Sequence, residues 1–377
     1  MLKQIGFYST LSVAGLFLLG LLSSDGLATF GSTPNESELD KKSGKSKFSS
    51  GRFHNLESRE ADMDRHGFGR FFQIAAKFYS RPAGKTEPDK ALPIEAITDH
   101  RFATAPEDGI RITWLGHATI LVEIDGYRIL TDPHFSDRAS PFRWVGPKRF
   151  QPVPISVDQL PSLDAIVISH DHYDHLDYDS IRKLAPKTKH FYVPLGVGTH
   201  LRSWGVEDSK ISELDWWQEA RMGDSVTLAP TPAQHFSGRR LGKRNSTLWA
   251  SWVILGKHQR VYFSGDSGMF GGFKKIGERY GPFDYTLMHI GAYSDEWPTV
   301  HMTPEEAVQA HIDLRGKVFV PIHWGTFRLA FHDWNEPAER LYNEANKKHL
   351  RFVMPLAGQS FHNPDLPPVK TWWRDVG

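Results

Sequence analysis

From Arg111 onward, short apolar runs alternate with polar punctuation. The stretch RITWLGHATILVEIDGYRILTDP alternates with a period of two and carries Asp125-Gly126 midway, which predicts a hairpin. DAIVIS is a short continuous apolar run, as expected of a strand buried on both faces. HFYVPLG, SVTLAPTPA, STLWASWVILG, QRVYFSGD, YTLMHIG and KVFVPIHWG predict further strands. DYDSIRKLAP predicts a helix ended by Pro186. TPEEAVQAHIDL predicts another, with Thr303 as its cap and Pro304 in its first turn. Strands in pairs and runs with helices between them predict an α/β architecture of two sheets flanked by helices. The sequence shows no evident internal repeat, although the alternation hints at two similar halves.

The first third reads differently. Lys3 precedes the apolar run IGFYSTLSVAGLFLLGLL, and small residues follow. Over residues 1–30 this predicts a signal peptide or membrane anchor, and so a protein exported or anchored at a membrane, on the periplasmic side in a bacterium. Residues 31–60 are rich in Ser, Lys, Glu and Asp and predict a flexible linker. Residues 61–105 form an N-terminal extension. Within it Phe68, Phe71, Phe72, Ala75, Phe78 and Tyr79 fall at helical spacing among Arg65, Arg70, Lys77 and Arg81. That predicts an aromatic and basic amphipathic helix, suited to a membrane interface or to docking on the main domain of residues 106–377.

Composition narrows the chemistry. The 377 residues carry a formal charge of +1, so no global field argues for nucleic acid as a partner. The absence of cysteine excludes disulfides, thiolate metal sites, cysteine nucleophiles and lipoprotein attachment.

The densest chemistry lies in HDHYDH, directly after DAIVIS. His170 and His172 can grip one ion, and Asp174 and His175 a second a few ångströms away. Imidazole and carboxylate suit a borderline divalent cation, zinc above all, with iron and manganese left open. Four ligands are too few for two ions. His235 after VTLAPTPAQ, Asp266 after VYFSG and His323 after KVFVPI each stand at the exit of an apolar run, where open α/β sheets place their sites. Asp266 could bridge. Tyr173, inside the ligand loop, is expected at the edge of the site, against a substrate head group or packed beneath the loop. The basic residues Arg239, Arg240, Lys243 and Arg244 after His235, and Arg143, Lys148 and Arg149 in FRWVGPKRF, suit an anionic lipid surface or a solvated loop.

HDHYDH, the later His235, SGD with Asp266, and His323 together resemble the metallo-β-lactamase-fold hydrolases. The pieces RASP…GPKRF, DHYDHLDY and IHWGTF bring the resemblance closest to the N-acylphosphatidylethanolamine-hydrolysing phospholipase D branch. It runs from about Arg111 to about Thr326. It implies an αββα sandwich with two mixed sheets and a binuclear zinc site. His170, His172 and His235 would hold one ion, Asp174, His175 and His323 the other, and Asp266 would bridge. It further implies that Asp132 orients a ligand histidine, that His117 acts directly or holds its turn, and that His301 faces the substrate, binding phosphate or giving a proton. Asp174, Asp266 and His301 are then the catalytic candidates, and Tyr173 and His301 the substrate contacts.

The expected reaction is attack of a metal-bridging hydroxide on a phosphodiester, releasing N-acylethanolamine and phosphatidic acid. The expected partners are a membrane phospholipid and a membrane surface, not nucleic acid, with a homodimer left open. The alternative is a hydrolase of the same fold acting on a soluble phosphodiester or a lactone.

Overall fold

The computed structural model describes residues 27–57, 77, 80, 86–107, 109–240, 242–362 and 365–376. Helix α1 (Glu36–Lys42) and a small hairpin, β1 (Lys47–Ser49) and β2 (Arg52–His54), come first. The first large sheet then begins with β3 (Ile110–Trp114), β4 (Ile120–Ile124) and β5 (Tyr127–Thr131), all antiparallel neighbours. It continues in parallel through β6 (Leu163–Val167), β7 (Thr188–Pro194) and β8 (Ile211–Leu214). The second sheet has antiparallel β9 (Ala220–Met222), β10 (Val226–Thr231), β11 (Ser251–Leu255) and β12 (Arg260–Phe263). Parallel β13 (Phe283–His289), β14 (Gly316–Ile322) and β15 (Arg351–Phe352) complete it. The chain then returns to the first sheet as β16 (Ser360–Phe361), beside β3. Each sheet has seven strands and passes from antiparallel to parallel pairing, so the two halves hinted at by the sequence are architecturally alike.

Alternation explains the layering. Ile120, Val122 and Ile124 of β4 join the core that also holds Leu228, Trp252, Ile254 and Phe263 of the other sheet. Leu121, between them, turns outward with Leu130, Ile166 and Phe191. That outer face is covered by Ile181 and Leu184 of α2 (Tyr178–Leu184) and Leu201 of α3 (Gly198–Ser203). Phe273 and Ile276 of α4 (Gly272–Tyr280), Val308 of α5 (Pro304–Asp313) and Leu341 of α6 (Glu336–Lys347) belong to the larger core. Full burial of one such side chain contributes about 1.5–3 kcal/mol, which is why both faces of the sheets must be covered. Helix α5 begins as the sequence predicts: Thr303 and Glu306 form a capping box, with Pro304 in the first turn.

Two expectations for the N-terminal third change. The stretch expected to be a linker is folded as far as residue 57. The carboxylate of Asp215 accepts hydrogen bonds from the backbone N–H groups of Gly44, Lys45 and Ser46. Leu39 and Phe53 are buried with Trp216, Leu248 and Trp249. A few apolar side chains among many charged ones suffice when the body of the protein supplies the other half of the core.

The expected export signal or anchor falls mostly on residues 1–26, outside the described residues, as does nearly all of the expected amphipathic helix. Among the described residues no helix is long and apolar enough to cross a membrane. The expected location, exported or anchored by an N-terminal apolar segment, is corrected on that finding: no anchor is shown. The run itself is near the short limit for a span, at which about 20 apolar residues are needed, and Ser9, Thr10 and Ser12 interrupt it.

Candidate metal centre

The site gathers where strands leave the sheets. His117 lies in the β3–β4 turn, Asp132 follows β5 and the HDHYDH loop follows β6. His235 lies beyond β10, Asp266 beyond β12 and His323 just after β14. Three of these positions bend sharply: His117, Asp132 and His323 have φ of 50°, 32° and 62°. Left-handed backbone is uncommon outside glycine, although aspartate and histidine adopt it more readily than most residues, and neighbours hold it here. Here the N–H of His323 donates to the carbonyl of His117, and the N–H of His117 donates to Thr326 Oγ1, both at 2.9 Å.

Two groups of side chains converge. His170, His172, His235 and Asp266 form one, and His117, Asp174, His175 and His323 the other. In the first, His172 Nδ1 lies 2.8 Å from His170 Nε2 and 3.3 Å from His235 Nε2. In the second, His175 Nε2 lies 3.1 Å from His323 Nε2 and 3.3 Å from Asp174 Oδ2. Asp266 stands between the groups. Its Oδ2 is 3.1 Å from His175 Nε2 and 3.8 Å from both His170 and His235, and its Oδ1 is 3.2 Å from His323 Nε2.

The donor set fits metal ions. Ligand atoms at about 2.0–2.1 Å from a tetrahedral ion stand roughly 3.3 Å apart, close to these separations. The far nitrogens of three of the rings are engaged as metal-binding rings require. His175 Nδ1 meets Asp132 Oδ2 at 2.7 Å, His235 Nδ1 meets the carbonyl of Val300 at 2.9 Å, and His170 Nδ1 meets Ser169 Oγ at 2.8 Å. Burial, reinforced by neighbouring imidazoles, holds His170 and His235 well below the usual histidine range, and burial also lowers His172. All three are therefore neutral, the form that ligates. In the second group burial likewise holds His117 well below the usual range, but at His175 and His323 carboxylates outweigh it. Asp266, Asp174 and Asp132 raise His175 well above its ordinary value, and Asp266 and Asp174 raise His323 to about 9. Protons there occupy a strongly negative field of the kind a cation would fill.

The structure thus brings together all seven side chains expected as ligands. It adds His117, whose Nε2 is 3.0 Å from Asp174 Oδ2, and His289, which stands with Asp266 and His301 in a third grouping. His289, at the very end of a buried strand, carries no local sequence signal of its own. His301 lies at the rim, its side chain 13% exposed and its Nε2 3.8 Å from Asp266 Oδ2. Burial, above all, depresses it to about 3, so it offers a neutral imidazole rather than a ready proton.

Tyr173 sits elsewhere than at the metal-facing atoms. Its hydroxyl donates to the carbonyl of Arg239 at 2.7 Å, and the Arg239 guanidinium lies over its ring. Its ring lines a cavity of about 670 Å³ together with Phe135, Phe142, Trp144, Tyr178 and Arg239. The basic loops are also partly committed inward. Buried Arg239 donates to the carbonyls of Thr29, Asp171 and Leu176, and Arg149 donates to those of His134 and Ser136.

Fold and site together define a metallo-β-lactamase-type hydrolase. The Beta-lactamase superfamily domain matches residues 127–324, a span holding every metal-facing candidate except His117, and the chain belongs to that superfamily as a metal-dependent hydrolase. An uncharacterized protein of Mycobacterium tuberculosis is 52% identical over 269 residues, 70% of this chain and 72% of that protein. The N-acyl-phosphatidylethanolamine-hydrolyzing phospholipase D 1 of Caenorhabditis elegans is 37% identical over 305 residues, 77% of this chain and 85% of that protein. Among solved structures, the metallo hydrolase Igni18 of Ignicoccus hospitalis superposes with a TM-score of 0.52 at 23% identity, covering 67% of this chain and 97% of that one, a likeness of fold.

Proposed function

We propose that this hydrolase is a phospholipase D that cleaves N-acylphosphatidylethanolamine to N-acylethanolamine and phosphatidic acid. The similarity to the nematode enzyme, which extends over 85% of that protein, carries the choice of substrate. Two divalent ions, zinc foremost, would be held by His170, His172 and His235 on one side and Asp174, His175 and His323 on the other, with Asp266 between. Bound there, they would supply an activated water and neutralise the charge of a phosphodiester.

The protein's own residues do the rest. Asp132, Ser169 and the carbonyl of Val300 fix the imidazole rings. Burial of His170, His175, His235 and Asp266 keeps bulk water from the reacting group. His172, Asp174 and His301 are the less buried members of the centre, with the side chains of Asp174 and His301 15% and 13% exposed. The neutral His301 imidazole can direct an N–H to a phosphate oxygen at that edge.

The test is incubation of metal-loaded protein with vesicles containing N-acylphosphatidylethanolamine, followed by mass spectrometry. Phosphatidic acid and N-acylethanolamine should appear in equal amounts, and Asp266→Ala should abolish both. No lipid turnover by protein that hydrolyses bis(p-nitrophenyl) phosphate would replace this substrate with a soluble one.

A further inference from the structure

The segment read from sequence as a linker reaches the metal centre. Phe53 of β2 is fully buried against the body of the protein, and its N–H donates to the carbonyl of Asn245 at 2.8 Å. Two residues later, Asn55 turns its carboxamide onto the peptide group of His235. Its Nδ2 donates to the His235 carbonyl at 2.8 Å, and its Oδ1 accepts from the His235 N–H at 3.0 Å. The same Oδ1 accepts from Trp249 Nε1 at 3.1 Å.

His235 lies beyond the end of β10, so no strand partner meets its backbone there. A carboxamide matches a peptide group donor for acceptor, and Asn55 meets this backbone as a paired strand would. The ring is anchored separately through Nδ1 to Val300. Backbone and ring are thus pinned from two sides, which fixes the direction of Nε2. Glu57 extends the clasp: its carbonyl accepts from Gln234 Nε2 at 3.3 Å, and its carboxylate accepts from the N–H of Gly271 at 2.7 Å.

We propose that Asn55 is a positioning residue for His235, making the N-terminal arm a working part of the metal centre, an inference that rests on the metal-binding reading above. Partners that orient a ligand from behind alter metal affinity by roughly 10–100-fold when removed. The effect should be confined to the ion facing His170, His172 and His235. The ion facing Asp174, His175 and His323 has its own supports, chiefly Asp132.

The experiment uses the full chain as wild type, Asn55→Ala, Asn55→Asp, His235→Ala and Ser43→Ala. Zinc affinity is measured at each position by chelator competition, and the cobalt-loaded proteins are compared by visible spectroscopy. Asn55→Ala should weaken one of two ions by roughly 10–100-fold, change its cobalt spectrum and leave the other ion unaltered. Asn55→Asp keeps the acceptor for Trp249 and the His235 N–H but sets an oxygen against the His235 carbonyl, so it should weaken the same ion. It carries the test if the alanine variant does not fold. Ser43→Ala removes an exposed arm contact to the carbonyl of Asp40, away from the clasp of Asn55 and Glu57, and should bind both ions as wild type does. If His235→Ala loses an ion while both Asn55 variants titrate as wild type, the role of Asn55 is overturned and the metal centre stands. If His235→Ala binds metal as wild type does, the metal-centre reading itself falls, and the inference with it.

Discussion

Asp132 Oδ2 accepts a hydrogen bond from His175 Nδ1 at 2.7 Å, with both side chains fully buried. The same carboxylate accepts from the N–H and the hydroxyl of Ser169. One residue after β5 therefore sets both the tautomer of His175 and the start of the HDHYDH loop. Burial raises the Asp132 carboxyl, and the bonds from His175 and Ser169 counter that rise.

Asp132→Asn leaves the shape nearly unchanged but turns an amide N–H₂ toward groups that need an acceptor. We expect metal affinity on the His175 side to fall roughly 10–100-fold, and folding stability to fall by about 1–3 kcal/mol through a buried unsatisfied donor. Chelator competition and denaturant unfolding measure the two effects. Unchanged metal affinity would show that His175 does not depend on Asp132 for its orientation.

The metal-free protein should lose stability between pH 7 and 9. His175 is raised well above its ordinary value and His323 to about 9. A raised histidine contributes stability that is fully present below its unfolded value, about 6.5, and is lost as pH rises through the folded one. The depressed histidines, among them His170, His235 and His301, work below pH 6.5 and do not act in this window. Metal loading displaces the two protons and should flatten the dependence. Thermal unfolding of chelated and loaded protein at pH 7, 8 and 9 tests the sign. A melting temperature that rises with pH in the chelated protein contradicts it.

Most of the fold and the core of the site are legible in the sequence, because each depends on local pattern. Period-two alternation marks β3 to β5, continuous apolar runs mark the buried strands, and each ligand follows a strand at short range. Asn55 and His289 are hard to read for the opposite reason, and His117 enters only through the family resemblance. His117 meets Asp174 across 57 residues and Asn55 meets His235 across 180, and nothing in either neighbourhood announces its partner. The arm of residues 31–57 has the composition of a linker. Its few apolar anchors, Leu39 and Phe53, count only once Trp216 and Trp249 are in place to cover them.

Tyr173→Phe should be nearly silent in catalysis. The hydroxyl is spent on the carbonyl of Arg239, so its removal should cost about 0.5–1.5 kcal/mol of stability. Turnover should stay within a few-fold of wild type. A tenfold or greater fall in kcat/KM with an unchanged melting temperature would instead make this hydroxyl a substrate contact, as its position inside the ligand loop first suggests.

His301 separates a substrate-facing role from a metal-binding one. It stands with Asp266 and His289 close enough to join a metal site, yet its side chain is among the more open in the centre. If it serves the phosphate, His301→Ala should retain two ions per chain and lower kcat/KM by roughly 10²–10⁴-fold, the usual contribution of a positioned acid–base or hydrogen-bonding group. His301→Gln, which keeps an N–H donor, should recover part of that loss. Elemental analysis of the purified variants decides the matter beside the kinetics. Loss of an ion from His301→Ala would move this residue from the substrate to the ligand set.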